Sequence, residues 1–520
     1  MLKRLLKPFI LAVLLLPAAR FAWQCRYMPE FGYLHDDAIM FVSAKSAAHG
    51  GYRIESLPES PAQTKYPPLF PYYLSLIWRL NPHFPENLEL GTWFCFALLP
   101  PFLGMAWLYY RRDLTEPRAW ILTALLAVNP YIVLFGCMMF SEIFFTCWLL
   151  ATFLAISKPG VRMAIFAGLL AGCAYLSRTA GIALLVSVPA LLVWKKEWRR
   201  AAAFAAAMLP FIAGWMIWSR VYGLHARDTT LIYYTDYLGF QFLNVGWNNL
   251  FKVVWKNGDQ ILWAMGELIF RDFLPLFAMN LLTRLTAVAM ISGVVRLVRR
   301  GIALDYAAFA VPSLGILLLW HYPPTERFVL PLFPLLLAGL MTELAHLGSM
   351  IKAGLRHKDA GQRAAAGFLG LSAASLCAIA VFFQLQTSLV NLRRFAEAKS
   401  AKLEEFHAAY SWISRNLPTS ATVLSYDDPL LYLYTGRRGN YLPILPKWWY
   451  DEDEKSMVGV YRDLNAYCHR RGLQYVYFSK NDLDREYGDV MRKEVQDEIQ
   501  SEAGLTPLHA TPRGTIYKVD

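Results

Sequence analysis

The chain of 520 residues is short of charge: Asp, Glu, Lys and Arg make up 17% of it, where a soluble domain carries roughly a quarter. With 56% hydrophobic residues, 15% aromatic ones and a mean hydropathy of +0.31, that shortage argues against an ordinary soluble protein and for an integral membrane one. Cysteine is equally uninformative. Cys25, Cys95, Cys137, Cys147, Cys173, Cys377 and Cys468 are an odd number without paired spacing, and five fall inside apolar runs, where a thiol behaves as a small hydrophobe. No disulfide framework or metal motif is written there. Internal repeats and low-complexity tracts are lacking too. The formal net charge of +12 is no sign of a nucleic-acid partner, because the excess sits in short clusters between apolar runs, where loop topology demands it.

The N-terminus, "MLKRLLKPFILAVLLLPAARFAW", has the basic start and apolar stretch of a signal peptide but lacks a small-x-small cleavage site, so it reads as a retained first helix. Further apolar runs follow, and the candidate spans are 5–23, 89–109, 119–137, 139–157, 161–177, 179–194, 201–219, 276–298, 304–321, 328–347 and 366–386. Each approaches the ~20 residues that cross a hydrocarbon core. With the N-terminus inside, the basic clusters Lys3/Arg4/Lys7, Arg111/Arg112/Arg118, Lys158/Arg162, Lys195/Lys196/Arg199/Arg200, Arg296/Arg299/Arg300 and Lys352/Arg356/Lys358/Arg363 all fall on the inner side. The acids in those loops are few: Asp113, Glu116, Glu197, Asp305 and Asp359. The positive-inside rule is thus satisfied throughout. About eleven spans follow, with the C-terminus outside.

Three outside segments are long. Residues 24–88 hold "YLHDDAIMFVSAKSAAHGG" and "QTKYPPLFPYYLSLIWRL", whose apolar piece 69–80 is too short to span and fits a helix at the interface. The segment near 220–275 is rich in Tyr, Trp and Asn and contains the amphipathic "NNLFKVVWKNGDQILWAMGELIFRDF". Residues 387–520 alternate helix-like stretches with the strand-like "ATVLSY", "LQYVYFS" and "GTIYKV", the pattern of a small α/β domain. That domain serves either as an acceptor-facing lid or as a stabiliser.

The ionisable residues gather at the outside face. Asp36 and Asp37 follow the first span; adjacent acids there either supply a general base or bind a cation, or are solvated loop charges. Apolar residues at helical spacing after them place Asp36 at a helix N-cap, and such an end also favours phosphate. Lys65 in "TKYPPLFP" is held by Pro67–Pro68 and reads as a phosphate-directed cation or as an interfacial anchor. Glu142 in "MFSEIFF", Arg178 in "YLSRTAGIALL", and His321, Glu326 and Arg327 in "HYPPTERFVLPLFPLLL" stand at outside ends of spans. Charges near hydrocarbon are costly and mark a site, a partner or an interface. Arg178 and Arg327 suit bidentate phosphate binding or snorkelling to headgroups.

The order of these motifs resembles the GT-C glycosyltransferases, membrane enzymes that use polyprenyl-phosphate-linked sugars and include aminoarabinose transferases and protein O-mannosyltransferases. An acid pair after the first span, a K-x-P-P run later in the same loop, many spans and a soluble C-terminal domain carry the likeness, with weaker support from "SE", "SRTAG" and "ERFVLPLFP". The resemblance implies a polytopic α-helical membrane protein: a transferase domain over 1–386, with catalytic loop 24–88, and an extracytoplasmic α/β domain over 387–520. It implies Asp36 as the catalytic carboxylate, Asp37 as its helper, and Lys65 near the donor phosphate. Tyr66 stands between Lys65 and the prolines, a departure from the K-P-P form. Arg178 and Arg327 match no equally firm motif; they are assigned to the donor phosphate on physical grounds, and Tyr66, Glu142, His321 and Glu326 to the substrate pocket. A divalent cation held by Asp36 and Asp37 is compatible with the resemblance, although some relatives need none. The expected partners are the sugar-carrying polyprenyl phosphate, the bilayer of a bacterial inner membrane, and an extracytoplasmic acceptor. The rival reading is a lipid or sugar-lipid flippase, which predicts mid-span polar residues and internal symmetry.

Overall fold

Apolar runs become helices, and polar or proline-bearing breaks decide where each one ends. In the computed structural model, residues 2–32, 35–223, 228–236, 239–240, 245–270, 276–479, 489–502, 504–512 and 514–520 are described. Each of the eleven apolar runs is mainly helical over its described residues, with short breaks such as Leu15, Ala97, Leu98 and Asn129. Among the described residues, five helices are long and apolar enough to cross a membrane: Asn87–Asp113, Trp198–Tyr222, Phe277–Arg299, Glu326–Leu355 and Ala360–Asn416. Leu6–Leu14 and Leu16–Gln24 form a sixth span if counted together across a 40° bend. Ser141–Ile156, Val161–Ser177, Thr179–Trp194 and Leu304–Leu318 are apolar but shorter. The run 119–137 is interrupted at Asn129–Pro130, where the Asn129 side chain accepts from the Tyr131 and Ile132 amides and starts a new short helix, Pro130–Phe135. A proline at that first position has no amide to lose.

Small residues let the helices approach closely. Gly293 on Leu276–Arg299 and Gly339 on Phe333–Leu355 meet backbone to backbone, so a Cβ on Gly293 would overlap the Gly339 carbonyl oxygen. This is how helices without a hydrophobic drive between them gain packing in lipid. Gly293→Val is therefore expected to destabilise the protein by about 1–3 kcal/mol, the usual cost of overpacking; an unchanged thermal-unfolding midpoint in detergent would refute the contact.

The first long loop folds back as helix Asp36–Ala48, a turn, and helix Leu69–Leu80. At the other end, the helical run that begins at Ala360 passes residue 387 without a break and ends at Asn416. Beyond it lies a five-stranded sheet in the order β2-β1-β3-β5-β4, with β1 Thr422–Ser425, β2 Arg438–Asn440, β3 Tyr475–Ser479, β4 Leu505–Thr511 and β5 Gly514–Val519. β1 is parallel to β2 and β3, while β5 is antiparallel to β3 and β4. β2 and β4 extend the three strands visible in the sequence pattern.

Alternation along the strands divides the two faces. Val423, Tyr477 and Ile516 join the apolar core that continues into the helical body, while Leu424, Val476, Phe478 and Tyr517 form a second cluster with Leu464, Cys468, Val495 and Ile499. The sheet domain is also tied to the first loop. The Gly439 amide donates to the Ser56 carbonyl at 2.9 Å, and Arg471 pairs with Glu59 at 2.8 Å.

Candidate active site

Gln63 shapes the loop that carries Lys65. Its Oε1 accepts from the Lys65 and Tyr66 amides at 2.9 and 3.1 Å, and its Nε2 donates to Ser43 Oγ at 2.9 Å on helix Asp36–Ala48. The Tyr52 hydroxyl donates to the Tyr66 carbonyl at 2.8 Å, and Trp218 Nε1 to the Gln63 carbonyl at 3.0 Å. These bonds, added to Pro67–Pro68, leave "TKYPP" little freedom. Helix Asp36–Ala48 begins at Asp36, but its cap position is His35, at φ 63°, and no side chain caps it. The expectation that Asp36 serves as the N-cap is thereby corrected: its carboxylate is used sideways.

Asp36 Oδ1 accepts from the Tyr66 hydroxyl at 2.5 Å, and Oδ2 from Arg327 Nη1 at 2.9 Å. Arg327 Nε donates to Glu142 Oε1, and Arg178 Nη1 donates to the same oxygen. Glu142 has no exposed side-chain surface. It therefore acts as a buried counter-charge that aligns two guanidinium groups, a geometry suited to Arg's rigid fork. Lys65 is 6% exposed, and its Nζ lies 3.8 Å from the Tyr233 ring centroid, a cation–π contact. Among the described residues Lys65 has no carboxylate within ion-pair distance, so its charge is available to a ligand.

These groups surround one cavity of about 300 Å³. Asp36, Lys65, Tyr66, Arg178, His321 and Arg327 line it together. Glu142 stands behind two of its walls, while Asp37 and Glu326 are not part of the lining. Asp37 is 1% exposed and its Oδ2 accepts from the Gly32 amide at 2.8 Å. The adjacent acids therefore present no shared cation site. Among the described residues no three His, Cys, Asp or Glu side chains are grouped to hold a metal ion.

Charge in the cavity is sharply sorted. Burial alone would raise the Asp36 carboxyl, but Arg327, Lys65 and the Tyr66 hydroxyl hold it down to about 2. Burial pulls Lys65 down to about 8 against the opposing pull of Asp36. Burial, aided by Lys65, takes His321 down to about 3. At neutral pH the cavity thus holds an ionised Asp36, a protonated Lys65 and a neutral His321. Burial pushes Asp37 up to about 6 despite the Gly32 and Ala38 amides, and the neighbouring Asp36 charge adds to that rise.

Sequence reasoning missed several cavity residues. His35, Tyr233, Phe240 and Trp320 line it, as do Tyr426, Tyr441, Pro443 and Ile444 from the C-terminal domain. The Tyr-rich second loop carried a signal in its composition. The C-terminal contributors carried none, since single residues in a soluble-looking domain do not announce which surface they meet. Parts of that second loop, 224–227, 237–238, 241–244 and 271–275, lie outside the described residues.

No protein-family model and no curated protein sequence matches the chain. Solved structures do. The crystal structure of ArnT from Cupriavidus metallidurans bound to undecaprenyl phosphate is similar over 93% of this chain and 93% of its own, with 13% identity and a TM-score of 0.50. The apo state of the same protein aligns over the same shares with 12% identity and a TM-score of 0.46. At such identity the first of these likenesses shows a shared fold.

Proposed function

We propose that the chain is an integral-membrane glycosyltransferase that moves a sugar from a polyprenyl-phosphate-linked donor to an extracytoplasmic lipid, glycan or protein, with inversion at the anomeric carbon and Asp36 as general base. The observation that carries this reading is the meeting of one ionised carboxylate with three cations, Lys65, Arg178 and Arg327, in a single cavity. That cavity sits in a fold shared with a protein crystallised on undecaprenyl phosphate. Positive-inside topology puts the N-terminus in the cytoplasm of a bacterial inner membrane, and the cavity and residues 387–520 outside.

The chemistry follows from the charges. A phosphate is already a good leaving group, so the donor needs cations to stabilise the departing oxygens rather than a strong acid. Lys65, with no carboxylate of its own, and the Glu142-aligned arginines supply them. Departure leaves oxocarbenium character on the sugar, which the Asp36 carboxylate also stabilises. A carboxylate with a pKa near 2 is a weak base. Proton transfer to it therefore comes late, once the acceptor oxygen has begun to bond to the anomeric carbon and its proton has become acidic. The Tyr66 and Arg327 hydrogen bonds hold Asp36 in one orientation for that step.

The direct test is reconstitution of the purified protein with a panel of polyprenyl-phosphate sugars, following donor consumption. A protein that consumes none of them yet moves lipid across vesicles belongs to the flippase reading instead. A pH profile gives a second test. Lys65 is active as the cation, so kcat/KM for the donor is expected to fall as pH rises through about 8. Asp36 and His321, near 2 and 3, put no acid limb above that range. Lys65→Arg keeps its charge at all these pH values and is expected to move the fall to higher pH; an alkaline limb that stays in place removes Lys65 from the donor site.

A further inference from the structure

One buried acid outside the proposed chemistry touches it through two intermediaries. Asp428 opens helix Asp428–Thr435 of the C-terminal domain and is 1% exposed. Its Oδ1 accepts from His35 Nε2 at 2.9 Å and from the Tyr234 hydroxyl at 2.5 Å, while its Oδ2 has no hydrogen-bond partner among the described residues. A carboxylate buried with half of its acceptor capacity unused is costly, and packing alone gives no reason to keep it there. With Nε2–H donating to Asp428, a neutral His35 ring presents Nδ1 as an acceptor. The Tyr233 hydroxyl stands 3.3 Å from that nitrogen, and Lys65 Nζ lies over the face of the same tyrosine. His35 is also the positive-φ residue from which the helix bearing Asp36 starts, a conformation that surrounding contacts must hold.

We propose that Asp428 is a positioning residue for the donor site: it fixes the tautomer and orientation of His35, so that Tyr233 holds Lys65 against the cavity. The inference rests on the donor reading of that cavity. It gives the C-terminal domain a defined part, which is to hold the first loop in its binding-competent arrangement through a contact between residues 393 apart in sequence. Asp428 acts only through His35 and Tyr233, since it does not itself line the cavity.

The test uses the full chain in nanodiscs with undecaprenyl phosphate as the probe. In Asp428→Asn the amide offers either a donor or an acceptor, so both His35 tautomers become available. Its affinity for the probe is expected to fall about three- to tenfold, the size of one net hydrogen bond. The donor KM should rise by a similar factor while kcat changes little. The same substitution in a Lys65→Met background should leave affinity almost unchanged, because no cation remains to be positioned; equal losses in both backgrounds would mean a merely structural role and overturn the proposal. If Asp428→Asn does not fold, Tyr233→Phe decides, since it keeps the ring and removes only the hydroxyl: weakened binding supports the chain of contacts and wild-type binding overturns it. Failure of the wild type to bind the probe overturns the donor reading and this inference together. Binding by the wild type with equal binding by folded Asp428→Asn overturns this inference alone.

Discussion

Asp36→Asn is expected to lower sugar transfer by about 10²- to 10⁴-fold, the range that positioned acid–base catalysis contributes. The amide keeps the size of the side chain, and its oxygen can still accept from the Tyr66 hydroxyl or from Arg327, so the fold should survive. What disappears is the negative charge that takes the acceptor proton and faces the developing oxocarbenium. The same charge now offsets Arg327 and Lys65. Its removal should leave polyprenyl-phosphate binding as tight as in the wild type or tighter, a split between turnover and affinity that general damage to the site does not produce. Single-turnover assays with a consumed donor, alongside binding of the unreactive lipid phosphate, measure both halves. A folded Asp36→Asn protein with full turnover would end the assignment of Asp36 as base.

Glu142→Ala is expected to have the largest effect on stability. One oxygen of Glu142 accepts from both Arg178 and Arg327, and its side chain is fully buried. Removing the centre of this triad takes from Arg178 its carboxylate partner and leaves Arg327, only 10% exposed, with Asp36 alone. Breaking a buried pair by deleting one partner costs about 3–5 kcal/mol. Glu142→Gln keeps the shape and an acceptor oxygen, so it should be milder in unfolding yet still impaired in donor binding, because Arg178 loses its counter-charge and Arg327 keeps only that of Asp36. Thermal unfolding in detergent, compared with donor affinity, separates the two effects. An Ala variant that unfolds at the wild-type temperature and turns over normally would show that the triad is incidental.

Much of the architecture was legible because it is local. Apolar runs of span length, basic clusters confined to alternate connections, and alternating strands near the C-terminus are properties of contiguous residues, and the helices and sheet form where those patterns lie. Residues with poorer local signals were placed less well. Asn129–Pro130 divides one apolar run into two helices, because a capping side chain and a proline outweigh hydropathy at that point. Asp37 shared every sequence feature of Asp36, yet successive residues on a helix point about 100° apart, so only one of the pair reaches the cavity. Gln63 organises the Lys65 loop through side-chain bonds to two backbone amides, and nothing in its neighbours marks it for that task.

The sequence by itself determined a multi-helical membrane chain with a small α/β C-terminal domain, and it nominated Asp36, Lys65, Arg178, Glu142 and Arg327 as costly charges in need of a reason. Tertiary structure alone decided that Asp36 meets Arg327 across 291 residues, that Glu142 gathers two arginines, and that Asp428 reaches His35 across 393. The physical reason is one of range. Hydrophobic period and charge placement act between neighbours and are written in consecutive residues, whereas the meeting of charges in a cavity depends on how helices pack, and that is set by many small contacts distributed over the whole chain.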